Sequence, residues 1–548
     1  MKDSYNSIVL CASLMIFTLM PACSLQRDSF SPVDKVNPLI GTARAATASA
    51  LEHGGEKESY SQVVPFVTVP FGMTNWTPET QIDESKCHAP YYYRDSVMLG
   101  FRGSHWLSGS CVQDYGTMTL MPTWGNLHCS FMQRGSAYSH VNERATPYEY
   151  KVHLSAYQID AAMTATKRCG LFRFTYQQAG EGHVIFNVNS DEYQGFVRID
   201  TLRNEIIGYN PVHRIYQGWG EEAGFKGYFV AQINVHPTEV GVYYTDSQDP
   251  TKESHMPQVL HLQNKPNLGA YVTFSVEQGQ QIEVQVGTSF TSIDEARKNL
   301  ITETKNLTFD QVSIQLKATW NKLLSQVEVK GGSEEDQVTF YTALYHSFLQ
   351  PRIFNDCDGS YPSFAGGQKI IQAKNQDYYA DYSMWDIYRA SLPLFNLLVP
   401  STGADMMVSL FDKAQQGGWL PIFPCWNSYT SGMIGDHAIA AIADAYMKDL
   451  IMLSEEQYQY LLQNAYKTPV NEQDYKDGKG RRALTSYLNY GYVPLEDKVE
   501  DSFHKEEQVS RTLEYAYDDY CLARIAEKRG DVKHATDLYH RAQNYSNV

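Results

Sequence analysis

Two periodicities divide the chain. From about Val33 to Phe290, apolar and polar residues alternate in short runs separated by Gly, Pro, Asn and Asp. Within Gln281–Gly287 the alternation is strict, placing Ile282, Val284 and Val286 on one face and Glu283 and Gln285 on the other, as a half-buried strand requires. Leu171–Tyr176 and Gly241–Tyr244 behave similarly. Many such runs with turn residues between them predict a β-sandwich over residues 32–291. After Ser292 the period lengthens. Asp294–Leu324 carries helix formers with apolar positions at helical spacing, so 292–335 is predicted to be a helical linker. Three later stripes keep an i, i+3, i+4, i+7 rhythm: Val338, Tyr341, Tyr345 and Phe348; Ile439, Ile442, Ala443 and Tyr446; Val509, Leu513, Ala516, Tyr517 and Tyr520. Each is predicted to be the buried face of a helix.

The segments between these helices are unusually long. Phe354–Trp385 and Gly417–His437 are rich in aromatics, Gly and Asp, whereas plain helical bundles prefer short connections. Helices in series with such loops suit a toroid whose loops build a pocket at one end. Only about five or six helices can be placed in 336–548, where a closed double ring has twelve. The predicted architecture is therefore multidomain β plus α, an N-terminal β-sandwich followed by a partial toroid.

Composition refines this picture without redirecting it. The 548 residues are too many for one core, and 43% hydrophobic with 20% charged residues is ordinary globular usage. A net charge of −17 with no basic cluster excludes nucleic acid as a partner. Aromatics reach 13%, with 39 Tyr and 8 Trp, and flat rings with polar tips suit sugar faces. Residues 1–23 read as a lipoprotein signal peptide. Lys2 gives a positive start, and the apolar run Ile8–Met20 is shorter than the roughly 20 residues of a membrane-spanning helix. Ala22 then precedes Cys23, the predicted lipidation site. Membrane contact is expected through that anchor only, on an exported bacterial lipoprotein of the periplasm, outer membrane or cell surface. The nine cysteines include no C-x-x-C pair, so neither a disulfide framework nor a zinc cluster follows from spacing.

Candidate chemistry lies mostly in the helical region. Trp385 and Asp386, before a predicted helix carrying Arg389, can hold a sugar ring: the carboxylate accepts bonds from vicinal hydroxyls and the indole covers the apolar face. The alternative is an N-cap Asp beside a buried Trp. Trp419 lies on a Pro-stiffened loop, and Asp436 and His437 sit where an amphipathic helix begins, as a pocket wall or as a cap and a core histidine. Glu514 and Asp518 are four apart on one helix face, near enough to share a cation or to join a cap network with Arg511. In the sandwich, His105 and Trp106 occupy a Gly/Ser loop that can reach over the pocket. Walker, Rossmann, zinc-protease and serine-hydrolase motifs are absent from the sequence.

Taken in order, Val36–Thr42 (VNPLIGT), Val69–Met73 (VPFGM), Gly103–Gly109 (GSHWLSG), Phe340–His346 (FYTALYH), Trp385–Ala390 (WDIYRA), Gly418–Pro421 (GWLP), Met433–His437 (MIGDH) and Ser510–Asp519 (SRTLEYAYDD) resemble glycoside hydrolase family 92, the calcium-dependent exo-acting α-mannosidases. The resemblance implies a β-sandwich joined to an (α/α)6 toroid, here incomplete, with the active site between them. It implies inverting hydrolysis of terminal α-linked mannose, mannose-containing glycans as partners and Ca²⁺ as cofactor, with no metal ligand assigned. Trp385 and Asp386 resemble the family's pocket residues that hold the terminal mannose, and His105 with Trp106 resembles its sandwich loop near the site. Val64–Val69 departs from the family's Phe-Pro-Gly-Ala segment. The family's Glu-Gly-Asn-Ala-Trp, Gly-Asn-Glu-Pro and Gly-Asn-Asp-Asp segments do not occur, so the general acid and base are expected beyond Val548 and no catalytic residue is assigned. The alternative function is a non-catalytic glycan-binding lipoprotein of the cell surface.

Overall fold

The computed structural model describes residues 31–53, 62–82, 87–109, 112–189, 191–213, 215, 220–367, 369–374, 376–499 and 504–548. The predicted signal peptide and Cys23 lie outside the described residues. Two antiparallel sheets face each other. One has seven strands, running from Asn75–Glu79 through Gly100–Ser104, Met118–Trp124, Gly180–Val188, Gly269–Val276 and Glu239–Thr245 to Glu253–Pro257. The other has nine, from His261–Gln263 at one edge through Phe225–Ile233, Gln280–Ser289 and Cys169–Tyr176 to Arg144–Ala145.

The pleat decides which side chains meet. Ile282 pairs with Phe174 and Val284 with Phe172 on one sheet, Val184 with Val272 and Phe186 with Ala270 on the other, and all are buried in one continuous core. Trp76 adds its fully buried indole edge-on to Phe172, with ring centroids 5.2 Å apart. A Cβ at Gly170 would come within 2.4 Å of that indole, so glycine alone fits there.

The predicted linker is an added layer. Ile293–Thr304 opens on Ser292, whose side chain accepts the Glu295 N–H, and sets Ala296 and Leu300 against Cys169, Ile207 and Val230. Phe309–Leu324 begins with a capping box of Thr308 and Gln311 and sets Phe309 and Val312 against Ala162 and Leu171. Outward residues of the central strands of the nine-stranded sheet, Cys169, Leu171, Ile207 and Val230 among them, are covered by these two helices, which therefore form a layer of the fold.

Beyond them the long helices are Glu334–Ser347, Pro400–Gly417, Ala438–Met447, Glu455–Tyr466, Gln508–Arg529 and Val532–Arg541, with short ones at Met384–Ile387, Ser391–Leu398, Glu472–Asp477 and Leu484–Tyr490. Gln508–Arg529 packs against both Ala438–Met447 and Val532–Arg541. Tyr341, Tyr345, Phe348, Ile439, Ile442 and Ala443 are buried as their spacing predicts. The third stripe is not: Val509 is 49% exposed, Leu513 44%, Tyr517 46% and Tyr520 44%, and only Ala516 is buried. That helix turns Tyr515, Asp518, Asp519 and Leu522 inward, because the cations that pair with its carboxylates lie on that side. Among the described residues no helix is long and apolar enough to cross a membrane.

Candidate active site

Sandwich and helical region meet through buried polar groups. Arg352 and Asp381, both fully buried, pair at 2.6 Å between Nε and Oδ2. The Arg352 guanidinium also donates to the carbonyls of His105 at 2.7 Å and Trp106 at 3.1 Å, while Asp381 accepts from Tyr115 Oη at 2.5 Å and from the Trp426 N–H at 2.7 Å. The sandwich loop holding His105 and Trp106 is thus pinned to the loop after Gly417. Phe71 inserts beside this link, its ring against Phe348 and Phe395 at 5.5 and 5.0 Å.

His105 and Trp106 lie inside this junction. Both His105 ring nitrogens are occupied, Nδ1 by the Tyr115 carbonyl at 2.7 Å and Nε2 by Thr74 Oγ1 at 3.1 Å. Burial, aided by Arg352, pushes its pKa down to about 3, so the ring is neutral. Trp106 is 0% exposed and donates its indole N–H to the Val112 carbonyl at 2.7 Å. As placed, neither side chain faces solvent; both support the junction.

A second constellation gathers around His437. This residue is the N-cap of Ala438–Met447 and is buried. Its ring stacks on Tyr388 at 3.7 Å, with Nδ1 3.0 Å from Asp518 Oδ1 and Nε2 3.3 Å from Glu514 Oε2. Burial opposes its charge, but the two carboxylates outweigh that and raise its pKa. The group that Glu514 and Asp518 share is therefore this ring. Arg511 instead donates to the His504 carbonyl. Glu514 also accepts from Tyr388 Oη at 2.9 Å and Arg389 Nη2 at 2.8 Å.

Trp385 and Asp386 border this cluster. They lie within the one-turn helix Met384–Ile387, and Arg389 falls in the turn before Ser391–Leu398 rather than on a helix they precede. The Arg389 guanidinium sits 5.3 Å from the Trp385 ring centroid. Asp386 is solvent-accessible, accepts from Ser383 Oγ and has its pKa raised, desolvation by the surrounding protein being the main cause. The half-buried Trp385 hides an indole N–H that finds no acceptor among the described residues, and the same holds for buried Trp426.

Asp436 lies behind, fully buried. Its Oδ2 accepts from Arg481 Nε at 2.9 Å and its Oδ1 from Asn464 at 3.1 Å. Burial pushes its carboxyl up to about 6; Arg481 pulls it down and Asp518 pushes it up. Arg481 continues to Asp519 at 2.7 Å, which also accepts from Arg541 at 2.8 Å. Asp436 is thus an internal strut, and no side-chain cap is made at the start of Ala438–Met447. Trp419 is half-buried at the periphery, its backbone N–H and carbonyl both bonded to Tyr429 Oη.

Two family profiles cover this arrangement: the glycosyl hydrolase family 92 N-terminal domain matches residues 35–289, and the glycosyl hydrolase family 92 catalytic domain matches residues 295–548. The chain belongs to glycosyl hydrolase family 92. A family 92 inverting mannosidase from Bacteroides thetaiotaomicron is similar with a TM-score of 0.81 at 28% identity, covering 95% of this chain and 65% of that one. A family 92 α-mannosidase from the same organism, solved with mannoimidazole, gives 0.78 at 28% identity, covering 94% and 64%. An uncharacterized secreted glycosidase of Arthroderma benhamiae is 23% identical over 550 residues, 94% of this chain and 62% of that protein. The chain therefore spans less than two thirds of the length of these relatives.

In this family 92 chain the junction residues Arg352, Asp381 and Tyr115 and the cluster residues Tyr388, Arg481 and Arg541 escape sequence reasoning. Tyr388 falls inside the Trp385–Ala390 motif without standing out from it; the others are separated in sequence and carry no motif of their own, the adjacent Arg481-Arg482 pair being a faint signal. The calcium implied for the family needs about six to eight oxygen ligands. Among the described residues no three carboxylates converge on one point, and the acidic groups here already face Arg481, Arg541, Arg389 and His437. The residues described do not by themselves fit that ion.

Proposed function

We propose that this chain holds the terminal mannose of an α-linked glycan, as part of an exported glycoside hydrolase of the inverting α-mannosidase type. The observation that carries the reading is the juxtaposition of accessible Asp386 with the unpaired indole N–H of Trp385, beside Arg389 and Glu514. An unpaired buried donor costs about 1–3 kcal/mol, which a ligand hydroxyl recovers. A carboxylate, an indole face and an orphan donor together match a hydroxyl-rich ring. Likeness to two mannosidases, one solved with mannoimidazole, supports mannose over other sugars. The export signal and lipid anchor at Cys23 belong to the same reading, supported by the disulfide at Cys87, a bond of oxidising compartments.

Inverting hydrolysis needs an acid and a base about 6.5–9.5 Å apart. Asp436, Asp518 and Asp519 are fully buried against cations, and Glu514 is held by Tyr388 and Arg389. Asp386 is the accessible carboxylate of the cluster. That observation favours sugar binding without turnover by these residues alone, which is also what a glycan-binding surface protein would do.

Calorimetry with α-mannobiosides and a mannose-release assay on the purified chain separate the readings. Expected are binding without release of mannose, and a loss of roughly 10- to 100-fold in affinity for Asp386→Asn and Trp385→Ala. Absence of binding by the wild type overturns the mannose site. Clear turnover overturns the inference that this cluster lacks a carboxylate pair.

A further inference from the structure

A separate cluster of ligand-bearing side chains lies on the outer face of the seven-stranded sheet. Glu253 pairs with Thr245 and His255 with Tyr243, so the two residues share one face of the edge strand. Val242, Val272 and Val184 occupy the opposite, core-facing side, and Tyr243, Tyr271 and Ile185 form a small outer cluster with Cys129. The segment after Met118–Trp124 folds back over this cluster and buries Cys129, which is a free thiol. Cys129 Sγ, a Glu253 carboxylate oxygen and a His255 ring nitrogen all lie within 4.8 Å of one another.

The surroundings hold these groups in place. Glu253 Oε2 accepts the Cys129 N–H at 3.0 Å and Oε1 accepts the Ser130 N–H at 2.8 Å. Ser130 Oγ donates to the Pro250 carbonyl at 2.6 Å, tying the loop to the turn before the strand. His255 Nε2 contacts Glu253 Oε2, and buried Arg134 donates to the Cys129 carbonyl at 3.1 Å. The His255 side chain is 30% exposed and gives an entry path from solvent, while Glu253 at 9% is largely covered.

We infer that Cys129, Glu253 and His255 form a binding site for one divalent cation of the zinc type, with a fourth position left to water. Thiolate, imidazole and carboxylate are the donor set of tetrahedral zinc, whereas calcium and magnesium require oxygen ligands throughout. On binding, the Cys129 S–H proton passes to solvent, Glu253 binds as the carboxylate and His255 binds through a ring-nitrogen lone pair. Zn–S, Zn–N and Zn–O bonds form, and no atom changes oxidation state. Thiolate and carboxylate then cancel the dication's charge, which suits a largely buried position. The two backbone N–H bonds to Glu253 supply the outer support that metal-binding carboxylates require. The bound ion would staple the 125–134 segment to the sheet edge.

Titration of the metal-free, tag-free chain with zinc chloride in a calorimeter tests this. Expected is one ion per chain with proton release, seen as a heat that varies with the ionisation enthalpy of the buffer. Cys129→Ser and His255→Gln are each expected to weaken binding by about 100-fold or more. Cobalt(II) is expected to give a near-ultraviolet thiolate-to-metal band in the wild type that Cys129→Ser lacks. His255 is partly exposed, so its variant keeps the test decisive if the cysteine variant fails to fold. No zinc binding by the wild type, or equal binding by the wild type and His255→Gln, overturns the site.

Discussion

Arg352 shows what a single residue does in this molecule. Fully buried, it satisfies Asp381 and the carbonyls of His105 and Trp106, thereby joining two domains. Removing one partner of such a pair leaves a buried charge uncompensated, at a cost of about 3–5 kcal/mol. Arg352→Met is therefore expected to destabilise by that amount in urea unfolding. Arg352→Met with Asp381→Leu should recover part of the loss, since no lone charge then remains. A single variant within 1 kcal/mol of wild type, on the order of an exposed pair's worth, contradicts a stabilising role for the link. Sequence could not single out Arg352, because nothing near it in the chain marks it as buried.

At the scale of an element, Gln508–Arg529 carries the main surprise. Its apolar spacing favours burial of Val509, Leu513, Tyr517 and Tyr520, yet the face holding Asp518 and Asp519 is the one turned inward. Helical period alone cannot tell which of two faces wins when charged partners elsewhere in the fold claim one of them. Leu513→Ser is accordingly expected to change stability by no more than about 0.5 kcal/mol, whereas Leu522→Ala should cost about 2–5 kcal/mol, both read from denaturant midpoints. The same helix governs His437. Because Asp518 and Glu514 raise its pKa above the ordinary 6.5, its protonation stabilises the fold. That contribution is complete below 6.5 and is lost as pH rises through the elevated value. The stability difference between wild type and His437→Gln should shrink as pH rises from 6.5 through the raised value; a difference independent of pH speaks against a charged His437.

For the whole molecule, the junction makes sandwich and helical region mechanically one. Besides Arg352, Trp320 donates to the Thr68 carbonyl at 2.6 Å, Tyr345 to the Phe66 carbonyl at 2.7 Å and Arg168 to the Asn355 carbonyl at 2.7 Å. The ring of Phe71 fills the helical side of the same seam. Unfolding of both domains is expected in one transition, with near- and far-ultraviolet signals coincident, and Phe71→Ala should lower both together by about 3–5 kcal/mol. Two separated transitions would show that the seam does not couple the domains. The domain order was legible in the chain, since period 2 gives way to period 3.6 at Ser292. The motif order was equally legible, and the family match to residues 35–289 and 295–548 agrees with it.

Local pattern therefore determined what depends on neighbours in sequence: strands with alternating faces, most helix stripes, the sandwich-then-helices order and the family. Tertiary structure decided what depends on neighbours in space. It placed His105 and Trp106 inside the junction, made Asp436 a strut for Arg481, and brought Glu514 and Asp518 to His437. It also assembled Cys129 with Glu253 and His255 from segments more than a hundred residues apart. Side-chain periodicity is fixed by backbone geometry, which each short segment carries by itself. Burial and charge pairing are fixed by whichever distant segments the packed core brings together.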